Sequence, residues 1–328
     1  MQKLHSLCAC VPLLLSVASL QAQGDYPLSI PPPEKSKPPA LLEVLARDKT
    51  KLKVHVWEPN NLAKTKHVVL FIHGIALHGK PYEAIAAGFT TQDMVLVCPD
   101  LRGHGLSKAK SADLARVHVL RADIGAVIGF IHKRYPGAAV VLAGESMGAL
   151  IAADYASRGE QPLAGLVLLA PAFAVHPNIL KKGPALTDFL WVDLAANEKL
   201  EPSTRNEGFI KARQQDKLAY RTVPPAYLLQ IAFMQAAWPA AAAEIKVPVL
   251  VAVAGDDRII NNKAVKKVFE QLGTPKEQKE WKELKDAKHT LCWDNVTRDL
   301  VGEVTAWIRK NAERKDPEKE PRKKKCEK

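Results

Sequence analysis

The chain has 328 residues, of which 47% are hydrophobic and 25% charged, and its formal net charge is +12 at pH 7. This length accommodates one large domain with an insertion, or two small domains. Past the N-terminus, no apolar run is long enough to span a bilayer, so the sequence excludes a transmembrane segment in the mature chain and predicts a soluble globular protein.

The positive charge is unevenly distributed. Residues 309–328 carry ten Lys/Arg against five Asp/Glu. Such runs are typical of disordered extensions, so we predict a basic disordered tail over residues 312–328, with weak attraction to anionic surfaces as its functional alternative. No nucleic-acid-binding motif accompanies the charge, and we expect no nucleic-acid partner.

Residues 1–23 have the pattern of a secretory signal peptide. Lys3 gives a weakly positive start, residues 7–20 are apolar, and Ala22 is a small residue suited to cleavage. We therefore predict cleavage near Ala22 or Gln23 and export to a periplasm or to the cell exterior. The alternative is a buried N-terminal helix or a retained anchor.

The remaining chain divides into a linker and one domain. Residues 24–40 are rich in proline, which favours an extended linker. From 41 to 311, strand-length apolar runs alternate with helical patterns. The runs are 52–57, 68–72, 94–97, 139–142, 166–169 and 249–253, and the helical patterns are 82–89, 112–135, 147–157 and 264–272.

Strands that are apolar throughout belong to sheets covered on both faces, so we predict an α/β fold with a mostly parallel central sheet. One stretch interrupts the alternation. Residues 172–245 contain several prolines, two apolar clusters and no clear strand. We interpret this stretch as a helical cap inserted between two strands.

The pentapeptide Gly-Glu-Ser-Met-Gly at 144–148 follows an apolar strand pattern and opens a helical one. Ser146 therefore falls on the tight strand-to-helix turn of a nucleophile elbow, where glycines leave room for a strained backbone. The alternative is an ordinary serine in a loop. The Met147 amide, at the start of a helix, faces developing negative charge and is a candidate oxyanion donor.

A serine nucleophile needs a base, and the base needs an acid that orients it. The late strand pattern ends at Asp256 and Asp257, two adjacent candidate acids that also suit a helix cap. His289 follows in a polar loop and is the candidate base, with a surface histidine as the alternative. Ile75, after the strand that ends at His73-Gly74, is the candidate second oxyanion donor.

Cysteines and histidines give no sign of a metal site. The mature chain keeps Cys98, Cys292 and Cys326, an odd number without metal-site spacing, and buried free thiols are the favoured interpretation. The histidines lack His-Glu-x-x-His spacing, so we expect no metal. Hydrolysis by a serine, a base and an acid needs no organic cofactor, and we expect none. We interpret His73 as structural, whereas His78 is a candidate pocket residue.

Together these motifs resemble the monoacylglycerol lipase and lysophospholipase branch of the α/β-hydrolases, over about residues 51–309. The matching pieces are His73-Gly74, Pro-Asp-Leu-Arg-Gly-His-Gly-Leu-Ser at 99–107, Gly-Glu-Ser-Met-Gly at 144–148, Asp257-Arg258 and His289. The resemblance selects Asp257 over Asp256 as the acid and implies Ile75 and Met147 as oxyanion donors.

The resemblance also implies a cap over a tunnel for an acyl chain. The cap's apolar residues suit such a tunnel, although packing between cap helices predicts the same composition. They are Phe189, Trp191, Leu228, Phe233, Met234 and Trp238. Two residues depart from the family pattern, Glu145 where many members have His, and Leu77 where many have an acidic residue. The altered Leu77 loop bears on headgroup recognition.

The sequence thus predicts a serine hydrolase that cleaves esters with a single acyl chain through an acyl-enzyme. Alternatives with the same triad are a general carboxylesterase, a serine peptidase that releases one residue, and a cofactor-free perhydrolase. An exported binding protein that keeps the fold without activity is the alternative from another class.

Overall fold

A computed structural model describes residues 25–107, 117–176, 192–193, 203–220, 222–238 and 240–312. The predicted signal segment, nearly all of the predicted basic tail, and Phe189 and Trp191 lie outside the described residues. Inside them, ten strands and seven α-helices follow one another along the chain.

A sheet of eight strands forms the centre of the domain, in the order β1-β2-β4-β3-β5-β6-β9-β10. Its only antiparallel pairs are β1 with β2 and β2 with β4; the other neighbours pair in parallel. The strands are β1 (Ala40–Leu45), β2 (Lys51–Trp57), β3 (His67–Ile72), β4 (Val95–Pro99), β5 (Ala139–Glu145), β6 (Gly165–Leu169), β9 (Val249–Ala254) and β10 (Lys279–Leu284).

The described α-helices are α1 (Glu83–Thr90), α2 (Val117–Arg134), α3 (Met147–Arg158), α4 (Glu207–Gln215), α5 (Pro225–Ala237), α6 (Asn262–Gln271) and α7 (Thr297–Asn311). Five of them cover the two faces of the sheet. Apolar residues of α2, α3 and α6 share one core with one face of the sheet, while those of α1 and α7 share a second core with the other. The predicted α/β fold with a mostly parallel sheet is confirmed.

The central strands are buried along their whole length, which is why they read as continuous apolar runs. Every residue of β4, β5, β6 and β9 is buried. By contrast, β1 was not predicted. It is an edge strand with one buried residue, and it follows the Pro-rich segment directly.

Between β6 and β9 the chain leaves the sheet. The described part of this insertion contains α4, α5 and a pair of two-residue antiparallel strands, β7 (Val192–Asp193) and β8 (Thr222–Val223). Asn206 caps α4 by accepting a hydrogen bond from the Phe209 amide, and Pro225 starts α5 at a position where no amide donor is needed. The stretch predicted as a cap thus holds two helices and this short ladder.

Residues 25–39 contain no helix or strand, but they pack on the domain. The Ile30 amide donates to the Ala84 carbonyl (2.9 Å), and the Ser29 hydroxyl donates to the Cys292 carbonyl (3.1 Å). Tyr26 donates to Asp216 (2.9 Å) and packs against Phe209 of α4. Because Ala84, Phe209 and Cys292 all belong to the second core, the segment lies against that side of the domain.

Within the described ranges, no helix combines the length and apolar character required to cross a bilayer.

Candidate active site

Ser146 lies on a sharp turn between β5 and α3. Its backbone has φ 56° and ψ −119°, a conformation that side chains rarely adopt, and its amide is held by the Leu169 carbonyl (2.9 Å). A Cβ atom on Gly148 would lie 2.0 Å from the Ile72 carbonyl oxygen, and one on Gly144 would lie 2.5 Å from Gly148. Both glycines therefore permit the close packing that fixes the turn.

His289 lies between Ser146 and Asp257. Its Nε2 is 2.8 Å from Ser146 Oγ, and its Nδ1 is 2.8 Å from Asp257 Oδ2. The Asp257 side chain is fully buried, and its other oxygen, Oδ1, accepts from the amides of Ile259 (2.9 Å) and Ile260 (2.8 Å). The three side chains form one continuous hydrogen-bonded row, with the carboxylate fixed at both oxygens.

Asp256, the other candidate acid, pairs with basic side chains. Its carboxylate is 3.2 Å from Arg205, 3.2 Å from Arg258 and 3.3 Å from Lys288, in a partly exposed group of charges. Neither aspartate caps α6, because that position belongs to Asn261, whose side chain accepts from the Ala264 amide.

Ile75 lies in the loop after β3, and Met147 begins α3 directly after Ser146. A Cβ on Gly74 would be 3.8 Å from Ser146 Cβ, so the loop after β3 lies against the turn. Within the described parts of the chain, neither the Ile75 nor the Met147 amide donates a hydrogen bond. Two free amides beside Ser146, one of them at the start of α3, suit the binding of an oxyanion.

Several contacts hold the loop that carries Ile75. Ala76 has a positive φ of 62°, unusual for a residue with a side chain, and its carbonyl accepts from the Tyr220 amide (2.9 Å) in the insertion. His78 is fully buried, and its Nε2 lies 2.8 Å from Asp216 Oδ2. The structure thus places His78 on a partner from the insertion, with no exposed surface, rather than on an open pocket wall.

The loop over residues 99–107 is a buried polar network. His73 Nε2 accepts from the Leu101 amide (3.0 Å), and burial lowers the pKa of His73 to about 3. Burial likewise lowers the pKa of His104 to about 4. Arg102 donates to Asp123 (2.6 and 2.8 Å) and to Asp48. These contacts agree with a structural role for His73 and for this loop.

Among the described residues, one group is compact enough to hold a metal ion: His55, His78 and Asp100 each offer a ligand atom within 4.8 Å of the others. Asp100 Oδ1 is already 3.1 Å from His55 Nε2 and accepts from the Gly79 amide (2.7 Å). Asp100 Oδ2 accepts from the Leu106 amide (2.7 Å). With both carboxylate oxygens engaged, we interpret the group as a hydrogen-bond network.

The insertion brings aromatic and apolar side chains near the turn. Tyr227 is buried and donates to the Met147 sulfur (2.8 Å), and Trp238 packs against Phe173 with ring centroids 4.8 Å apart. Of the other predicted tunnel residues, Met234 is buried, Leu228 is half-buried, and Phe233 is 60% exposed. The exposed Phe233 ring faces solvent. Sequence reasoning missed Phe173 and Tyr227, whose contacts join segments distant along the chain.

Glu145, directly before Ser146, is buried together with Tyr82 and Cys292. Burial raises the pKa of Glu145, although the Cys292 amide donates to Oε1 (3.0 Å) and the Tyr82 hydroxyl to Oε2 (3.1 Å). Cys292 and Cys98 are both buried free thiols, as predicted, and burial raises the pKa of each well above its usual value. Cys326 lies outside the described residues.

A mostly parallel sheet with a serine on a strand-to-helix turn, followed in the chain by an aspartate and a histidine on later loops, is the arrangement of an α/β-hydrolase. The family model described as serine aminopeptidase, S33 (Hydrolase_4) matches residues 63–295. The chain belongs to this family.

Relatives and solved structures with similar folds agree with this assignment. The chain is 25% identical to human monoglyceride lipase over 260 residues, covering 77% of this chain and 84% of that protein. It is 28% identical to phospholipase YtpA of Bacillus subtilis (strain 168) over 230 residues, covering 66% and 86%. The monoacylglycerol lipase structure from Paleococcus ferrophilus superposes with a TM-score of 0.65 at 21% identity, covering 79% of this chain and 99% of that one.

Proposed function

We propose that the protein is a serine ester hydrolase in which Ser146 is the nucleophile, His289 the general base and Asp257 the acid that orients it. The observation that carries this proposal is the continuous row from Asp257 Oδ2 through His289 to Ser146 Oγ, with both steps 2.8 Å long. A base within hydrogen-bond reach of a hydroxyl, itself oriented by a fixed carboxylate, is the geometry that activates serine.

In the proposed reaction, His289 Nε2 takes the Ser146 proton as Oγ attacks the ester carbonyl. The negative charge that develops on the carbonyl oxygen is stabilised by the amides of Ile75 and Met147. The protonated His289 then gives its proton to the departing alcohol, which leaves an acyl group on Ser146. Water, deprotonated by His289, attacks this acyl-enzyme and releases the carboxylic acid and free Ser146.

The proposed substrate is an ester with one acyl chain, such as a monoacylglycerol or a lysophospholipid. Two relatives support this choice by name, a monoglyceride lipase and a phospholipase. The insertion adds apolar surface beside the turn that carries Ser146. Tyr227 contacts Met147 there, and Trp238 packs against Phe173. An apolar surface there would bury a hydrocarbon tail and keep water from the reacting ester.

Covalent labelling with a fluorophosphonate probe tests the proposal. We expect the wild-type protein to be labelled at Ser146 and Ser146→Ala not to be labelled. Ser157→Ala is the matched control, because Ser157 lies on the same helix, α3, and donates only to the Asp154 carbonyl (2.8 Å). An unlabelled wild-type protein would support the alternative of an inactive binding protein on this scaffold and would overturn the proposed function.

A panel of nitrophenyl esters of increasing chain length tests the substrate class. An apolar tail contributes about 0.8 kcal/mol for each methylene that it buries, so we expect kcat/KM to rise from acetate to octanoate. A preference for acetate would favour a general carboxylesterase. Aminoacyl amides, tested in parallel, would reveal a peptidase that releases single residues.

We also propose that the protein is exported, on the basis of the pattern over residues 1–23. N-terminal sequencing of protein recovered from outside the cytoplasm is expected to begin near residue 23 or 24. An uncleaved N-terminus would favour a retained anchor.

A further inference from the structure

Glu145 has a buried carboxyl group that takes no part in the proposed reaction. The residue precedes the nucleophile, is 2% exposed, and has no cationic side chain among its hydrogen-bond partners in the described residues. A carboxyl group without a cation is unfavourable in a protein interior, and burial raises its pKa. An apolar residue would fill the position at lower cost to stability, which points to a role for the hydrogen bonds of the Glu145 carboxyl group.

One arm of the Glu145 contacts, the hydrogen bond to Oε1, comes from the loop that carries His289, the proposed base. Oε1 of Glu145 accepts from the Cys292 amide at 3.0 Å, and Cys292 is three residues beyond His289. Elsewhere, backbone contacts hold the same loop to the Ser203 carbonyl and to Asp294. The Cys292 bond is therefore the direct link between the histidine loop and the side chain next to Ser146.

The other arm leads to the loop that carries an oxyanion donor. Oε2 of Glu145 accepts from the Tyr82 hydroxyl at 3.1 Å, and that hydroxyl in turn accepts from the Gly74 amide at 3.0 Å. Gly74 immediately precedes Ile75. The Tyr82 ring is fully buried and is held between Phe71 (4.7 Å between centroids) and Trp293 (4.8 Å), so its hydroxyl has little freedom to move.

The turn that carries Ser146, the loop that carries His289 and the loop that carries Ile75 are thus joined at the Glu145 carboxyl group. Side chains alternate along β5, so Glu145 lies on the same face of the sheet as Val141 and Ala143, whose core also contains Tyr82 and Cys292. We propose that Glu145, through Tyr82 and Cys292, is a positioning residue that sets the distances from Ser146 to the His289 ring and to the Ile75 amide. This inference rests on the proposed function of Ser146.

A positioning role for Glu145 affects the catalytic step and leaves binding of the acyl chain unchanged. The hydrogen bonds of Glu145 go to Tyr82 and Cys292 and not to the apolar surface at Tyr227 and Trp238, so its loss should misplace reacting groups without changing the surface that receives the acyl chain. Displacements of this kind lower kcat strongly, because the transition state requires exact geometry. Glutamine has nearly the shape of glutamate but only one acceptor oxygen, so Glu145→Gln keeps one arm and breaks the other.

The test compares Glu145→Gln, Tyr82→Phe and the double variant by steady-state kinetics, with active sites counted by fluorophosphonate titration. We expect each single variant to lower kcat per active site by about 10- to 100-fold with KM within about twofold of wild type. Because both substitutions remove contacts of the same carboxyl group, the double variant should lose less than the product of the single losses. Asp154→Asn is the matched control, since Asp154 is also buried, lies on α3, and pairs with Arg121 (3.4 Å) away from the site.

The control is expected to lower thermal stability while leaving kcat unchanged. A kcat for Glu145→Gln within about twofold of wild type, or losses that multiply in the double variant, would overturn the positioning role. These results are distinct from failure of the proposed function, in which the wild-type protein itself is not labelled. Should Glu145→Gln fail to fold, Tyr82→Phe decides alone, because it breaks only the arm to Gly74.

Discussion

Asp257 and His289 are held together at 2.8 Å, and the aspartate cannot swing away because two backbone amides bind its other oxygen. This arrangement fixes the tautomer as well as the place of the imidazole, with a proton on Nδ1 and a lone pair on Nε2 toward Ser146. The preference for Asp257 over its neighbour thus has a direct geometric reason.

Replacing each of the two adjacent aspartates in turn by asparagine gives a matched pair of variants. Asp257→Asn should lower kcat by about 10³- to 10⁴-fold, because an amide that donates to Nδ1 holds the wrong tautomer. Asp256→Asn removes only partly exposed contacts with Arg205, Arg258 and Lys288, and kcat should change by less than about threefold. Kinetics of both variants with one nitrophenyl ester decide the assignment. The reverse pattern would transfer the role of the acid to Asp256.

Gly148 is expected to accept no side chain. A Cβ there would lie 2.0 Å from the Ile72 carbonyl oxygen and 2.5 Å from that of His73, and backbone atoms of a central strand have nowhere to move. Gly148→Ala should therefore lower the free energy of unfolding by at least about 3 kcal/mol and abolish labelling of Ser146.

Gly302→Ala provides the contrast, because a Cβ on this exposed residue of α7 meets nothing within 4 Å. Its free energy of unfolding should rise by about 0.5–1 kcal/mol. Urea unfolding measures both substitutions. A Gly148→Ala protein with wild-type stability would show that α3 can move away from β3.

His78 was predicted as a pocket residue, whereas the structure buries it against Asp216. A residue that touches substrate changes KM when it is removed, whereas a residue that anchors the loop of Ile75 changes kcat. We expect His78→Ala to lower kcat by about tenfold, with KM nearly unchanged. Asp216→Ala should have the same effect, since it removes the other half of the pair. A raised KM at constant kcat would restore His78 to the pocket.

Acid should destabilise the fold through two buried histidines. In the folded protein the pKa of His73 is about 3 and that of His104 about 4, against 6.5 as the ordinary value. Below pH 6.5 the unfolded chain binds protons that the folded chain rejects, so stability is full above pH 6.5 and falls as the pH decreases toward 4. Each ring contributes at most about 1.4 kcal/mol per pH unit.

Urea unfolding at pH 7 and pH 5 measures this slope. His104→Gln, which cannot titrate, should show a smaller loss than the wild type between the two pH values. Equal losses in both proteins would mean that His104 does not reject protons in the folded state.

Much of the fold was predictable because the central strands are buried on both faces. The apolar runs at 139–142 and 166–169 became β5 and β6 with only small changes at their ends. The edge strand β1 escaped notice, since a strand with one buried residue has no continuous apolar run. The antiparallel direction of β2 is also a tertiary property that no local pattern records.

Local sequence patterns and tertiary contacts differ in the same way at the candidate active site. The structure brings Ser146, Asp257 and His289 together, and their order and their places after strands were visible in the sequence. The roles of Tyr82 and Asp216 were not, because their hydrogen bonds join residues 63 and 138 positions apart in contexts without a motif. Glu145 was noticed only as a departure from a family pattern, and its two acceptor contacts explain what the carboxyl group does there.

The segment from Tyr26 to Ile30 has a consequence for when the native state is reached. Ser29 bonds to a residue 263 positions later, and the Ile30 side chain lies against Gly88, where Val301 of the last helix also packs. During synthesis the Ala84 carbonyl, which binds the Ile30 amide, is made early, whereas Cys292 and Val301 of α7 leave the ribosome only near the end. The packing of this segment is therefore completed only after α7 has been synthesised.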